Sequence, residues 1–69
     1  MPRLAKSIRK QQGLGLRECA RAAGIDPSSL LKFEEGERGL SIPSLQSLAR
    51  TLHNTVDRLL QDAPDEVPA

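Results

Sequence analysis

Between residues 3 and 12, Leu4, Ala5 and Ile8 fall on one side of a helical wheel, with Arg3, Lys6, Arg9, Lys10 and two glutamines around them. Gly13 stops the pattern, so the spacing predicts a first helix over about 2–11. Leu16, Cys19, Ala20 and Ala23 then recur at i, i+3, i+4 and i+7, behind Gly15 as a modest N-cap and with Glu18 in the first turn, where the helix dipole favours an acid. This predicts a second helix over 16–23. Gly24 stands just past its last periodic residue, the usual place for a left-handed C-terminal cap.

Asp26 and Pro27 launch a third helix, the aspartate as N-cap and the proline at the first helical position, where its missing N–H is not needed. Leu30 and Phe33 point inward on it, and it ends near Glu35 and Gly36. "GERGLSI" reads as a loop by its glycines, after which Ser41 or Ser44 starts a fourth helix with Leu45, Leu48, Ala49 and Leu52 on one face. His53 and Asn54 close it, and His53 is a helix-end residue able to take a left-handed φ. Thr55 caps a short fifth helix, "VDRLL". The expected organisation is one domain over residues 1–61 and a disordered, polar, proline-containing tail over 62–69.

Composition narrows this to an all-α class. Leucine is abundant, Phe33 is the only aromatic residue, and 69 residues support a single small core. Cys19, the only cysteine, lies on a buried helical face and is expected to be a small core hydrophobe. With no disulfide framework, no apolar run near the ~20 residues of a membrane span and no apolar leader in "MPRLAKSIRK", a cytoplasmic protein without membrane contact is expected. Net charge is +1, yet residues 1–32 carry +5 and residues 33–69 carry −4. Such a division suits a positive face turned to a polyanion.

Catalysis and metal binding have little to stand on. His53 is the only histidine, no carboxylate pair has a neighbouring base, and "GLG" at 13–15 follows a helix rather than the strand a phosphate loop needs. No cofactor and no metal are expected, and the chain is not expected to be an enzyme. Instead, helix 2, a short glycine-containing turn and helix 3 have the spacing of a helix-turn-helix, whose second helix lies in the DNA major groove. Ala20 permits close approach of the two helices, and Ile25 and Leu30 fill the angle between them.

From Ile8 to Leu60 the chain resembles the Xre, Cro and phage-repressor family of helix-turn-helix domains. The residues that carry the likeness are Arg9, "GL" at 13–14, Ala20, "AGI" at 23–25, Leu30, "FEEG" at 33–36 and "LARTL" at 48–52. The resemblance implies a compact, five-helix, lambda-repressor-like domain that binds double-stranded DNA, with Pro27, Ser28, Leu31 and Lys32 at the base-facing positions. Leu31, beside Leu30, is either part of a wider core stripe or an exposed group suited to a thymine methyl. Phosphate contacts are expected from Leu16, Arg17, Ser29 and Arg38, and a structural pair from Arg9 and Glu34. Family members usually carry a small hydroxyl residue and a glutamine where this chain has Gly15 and Leu16, so contact at that point falls to backbone N–H groups and Arg17. The loop after Gly36 is also three residues longer than in the simplest relatives.

The function these readings imply is a transcriptional repressor binding a pseudo-palindromic operator as a homodimer. Val56, Leu59 and Leu60 are the expected dimer surface, although Leu59 serves equally well in closing the core. The alternative is an antitoxin-type module that neutralises a partner protein and autoregulates its operon, with the acidic C-terminal half meeting a basic partner.

Overall fold

Residues 2–62 are described in the computed structural model of the protein, and they form five helices: α1 (Leu4–Gln11), α2 (Leu16–Ala23), α3 (Pro27–Glu34), α4 (Ile42–Thr51) and α5 (Val56–Leu60). Asp26 caps α3, Ser41 caps α4 and Thr55 caps α5, each through its own side chain. Ser41 rather than Ser44 therefore starts the fourth helix, and Ser44 supplies the N–H that Ser41 Oγ accepts.

The first four helices share one ending. After α2, the Ile25 N–H donates to the Ala20 carbonyl at 2.8 Å and the Gly24 N–H to Arg21 at 3.2 Å, with Gly24 at φ +70°. This is a Schellman motif, and the glycine is required by the backbone angle, since a Cβ built there meets nothing within 4 Å. The same pair of bonds follows α1 at Gly13, α3 at Gly36 and α4 at His53. His53 is thus a non-glycine residue at φ +54° with an exposed side chain. His53→Gly is expected to raise stability by about 0.5–1 kcal/mol, the ~1–2 kcal/mol of left-handed strain less the freedom glycine adds to the unfolded chain. The shift of the urea midpoint measures it, and a fall would mean that the imidazole stabilises the fold by more than the strain.

Packing of α2 against α4 and α3, of α1 against α5 and α3, and of α4 against α5 encloses the core. Phe33, Leu30, Leu48, Leu52 and Leu59 are its large, fully buried side chains. Cys19 and Ala20 are buried where α2 faces its neighbours, and burial pushes the Cys19 thiol pKa up, in keeping with a neutral core group.

Three expectations change. The first helix begins at Leu4 because Arg3 is extended (φ −82°, ψ +155°): its N–H donates to the Glu34 carbonyl at 2.6 Å and its backbone bridges to Asp62. Asp62 accordingly belongs to the folded unit, and the tail expected beyond it, 63–69, lies outside the described residues. Leu59 has no exposed surface, so it is a core residue and not a contact residue of a dimer; of the expected trio, Leu60 is exposed and Val56 half-buried. In a five-residue helix, the side chain turned toward α1 and α4 is closed off from any partner.

Candidate nucleic-acid interface

The turn that separates α2 from α3 sets the direction of α3. Gly24 reverses the chain, Ile25 is buried beneath it, and Asp26 Oδ2 accepts the N–H groups of Ser28 at 3.0 Å and Ser29 at 3.3 Å. Pro27 then fixes φ for the first turn. Leu30, Phe33 and Glu34 face inward and are buried, whereas Ser28, Leu31 and Lys32 face outward and are exposed. Leu31 retains 45% of its surface, which removes the wider-core-stripe reading and leaves an apolar side chain on the outer face.

The remaining expected contact residues surround this face. Pro27 and Ser29 are half-buried at the start of α3. Ser29 lines a shallow groove with Asp26, Arg38, Ser41 and Ser44, so Arg38 on the long loop stands beside the start of the helix. Arg17 is exposed, whereas Leu16 is half-buried with its side chain packed against the core, so a polar contact at that residue falls to its backbone N–H at the head of α2. The first N–H groups of a helix have no acceptor within it, so the start of α2 presents donors there.

Glu34 and Glu35 put two acids at the C-terminal end of α3, where the helix dipole disfavours them. Helix α1 answers each. Arg9 grips Glu34 side-on, Nε to Oε2 at 2.7 Å and Nη2 to Oε1 at 3.0 Å, while its Nη1 donates to the Leu14 carbonyl at 2.8 Å. Both side chains are buried, and the bond to Glu34 raises the Arg9 pKa still further against the opposing effect of burial. One guanidinium thereby joins α1, the α1–α2 turn and the end of α3. Lys6 Nζ lies 2.8 Å from Glu35 Oε1, and this contact holds the Glu35 carboxyl below the usual carboxylate range.

Arg3 completes the set, and nothing in its sequence neighbourhood marks it as more than a basic residue. Its guanidinium lies 4.7 Å from the centroid of the Phe33 ring, its Nε donates to the Phe33 carbonyl at 2.9 Å, and its Nη1 reaches the Leu60 carbonyl at 3.3 Å. Lys6 and Arg9 stand three residues apart on α1, the spacing of one helical face, and Arg3 joins them from the extended residue before the helix. They also revise the charge picture. Three of the seven cations in residues 1–32 are engaged with the end of α3, while the other four, Lys10, Arg17, Arg21 and Lys32, are exposed, as is Arg38 on the loop after α3.

Comparison with known proteins fits this geometry. The family profile described as helix-turn-helix matches residues 6–59. Among solved structures, the chain is similar to the restriction-modification controller protein C.AhdI from Aeromonas hydrophila, with 27% identity and a TM-score of 0.75 over 81% of this chain and 85% of that one. It is also similar to the clp gene regulator ClgR from C. glutamicum, with 32% identity and a TM-score of 0.71 over 83% of this chain and 74% of that one. No curated protein matched the chain. With an outward-facing α3 held behind a capped turn, and with the profile spanning α1 to α5, the chain belongs to the helix-turn-helix family of DNA-binding regulators of the Xre and lambda-repressor type.

Proposed function

We propose that the protein is a transcriptional repressor that binds a pseudo-palindromic operator as a homodimer, with α3 in the major groove. The observation that carries this reading is the division of α3: Leu30, Phe33 and Glu34 anchor it while Ser28, Leu31 and Lys32 stand clear of the core. Pro27, Ser28, Leu31 and Lys32 face base edges, and Arg17, Ser29, Arg38 and the Leu16 N–H hold flanking phosphates. Two copies paired through α5, by way of Leu60 and Val56, place their recognition helices on half-sites about 34 Å apart, one turn of DNA. A protein seated on a promoter in this way excludes polymerase, which gives repression as the sign. The site of action is the cytoplasm, where the DNA is; no described helix is long and apolar enough to cross a membrane.

The test uses duplex DNA from the region upstream of the protein's own gene. Affinity is expected to fall steeply with salt, and Lys32→Ala/Arg38→Ala should lower the slope of log K against log salt by about 0.9 for each phosphate that is no longer neutralised. Both side chains are exposed, so the variant should keep its helical circular dichroism. Unchanged binding by a folded double variant would show that α3 does not read this DNA, and only monomers in sedimentation, one per operator, would remove the dimer.

A further inference from the structure

We infer that Leu31 is a specificity-determining residue that reads the C5-methyl group of a pyrimidine in the major groove. The inference rests on the proposed docking of α3 and adds what that docking would recognise. Three large apolar side chains are exposed among the described residues: Leu31 at 45%, Ile42 at 69% and Leu60 at 40%. Leu31 alone lies on the outward face of α3, next to Lys32 and one turn from Ser28, with Pro27 on the preceding turn.

The chemistry follows from what the groove displays. Base edges there present hydrogen-bond acceptors, amino donors and a single apolar feature, the methyl at C5 of thymine. Serine and lysine can bond the polar features, but leucine has neither donor nor acceptor, so the methyl is the only base feature it can favour. Against an unmethylated cytosine the same side chain would cover an amino group without bonding it, which penalises that base. Thymine and 5-methylcytosine carry the same methyl, so either can supply it.

To test this, the tightest-binding duplex is selected from a random-sequence pool, then resynthesised with each thymine in turn replaced by deoxyuridine and each cytosine in turn by 5-methylcytosine. One uracil substitution should weaken the wild type about fourfold, the worth of one buried methyl, and leave Leu31→Ala unaffected. That result assigns thymine as the source. A similar gain from one 5-methylcytosine, again absent in Leu31→Ala, assigns the methylated base instead. If the selected duplex binds tightly and every such substitution is neutral, or if the penalty persists in Leu31→Ala, the inference is overturned while the docking of α3 stands. If no sequence is enriched, the docking fails and the methyl reading fails with it. Leu31 is exposed, so its alanine variant is expected to fold, which circular dichroism verifies.

Discussion

Glu34→Ala is expected to destabilise the domain by about 3–5 kcal/mol, the usual effect of removing one member of a buried ion pair. A chain of this length has a total stability of only about 3–10 kcal/mol, so much of the variant should be unfolded at neutral pH and room temperature. The loss comes from what remains. Without Glu34 the Arg9 guanidinium keeps its bond to the Leu14 carbonyl but is left in a site almost closed to water, with its charge uncompensated. Removing both charges should therefore harm less than removing one, and Arg9→Met/Glu34→Leu should regain at least half of what Glu34→Ala loses. Urea unfolding followed by circular dichroism gives all three values; a loss under about 1 kcal/mol for Glu34→Ala would mean that the pair is not a support of the fold.

The neighbouring pair provides the contrast. Lys6 and Glu35 are partly exposed, so their attraction is screened by salt and Glu35→Ala should change stability little. The Glu35 carboxyl is held below its ordinary range by the Lys6 bond, so its contribution is present above the unfolded-state pKa and fades as pH falls through the lower folded value. Adjacent in sequence and identical in type, these two acids differ because Glu34 turns inward and Glu35 lies at the rim.

How far such differences can be read from sequence depends on the range of the interaction. Gly24, Asp26–Pro27 and Thr55 act within four residues of themselves, and the helix ends they predict are those observed; for α4 the sequence offered Ser41 or Ser44, and the cap is Ser41. Arg3 was legible only as a basic residue, because its partners at Phe33 and Leu60 are 30 and 57 residues away and are backbone carbonyls, which leave no mark in side-chain patterns. Leu59 and Leu60 could not be told apart in a helix of five residues, too short for a repeat to set its phase. Leu30 was legible as a core residue, but whether Leu31 widened that stripe was open, and only the packing of α3 against α2 and α1 leaves Leu31 on the surface. Arg9 and Glu34 became a pair in sequence only through resemblance to a family; the buried geometry supplies the physical reason.

Phe33→Ala is the second large effect expected, about 3–5 kcal/mol from reduced burial and the cavity left behind. The ring is fully buried and carries the Arg3 guanidinium at 4.7 Å, so the same change also removes a cation–π contact. At about 4–8 °C per kcal/mol for a domain of this size, the melting temperature should fall by at least about 12 °C, whereas Phe33→Leu, which keeps most of the apolar volume, should lose less than half of that. Phe33 sits between Lys32, which faces outward, and Glu34, which anchors α3 to α1, so its packing holds the helix that carries the proposed base contacts. If DNA binds only the folded form, duplex at 100 times its dissociation constant should restore about 2.7 kcal/mol to either variant. Binding by Phe33→Ala should then show a folding cost that Phe33→Leu largely lacks, with apparent affinity reduced by the unfolded fraction and the salt slope unchanged, because Lys32 and Arg38 are intact. A Phe33→Ala protein that melts within a few degrees of the wild type would place the anchor of α3 elsewhere, leaving the Arg9–Glu34 pair to hold the recognition helix.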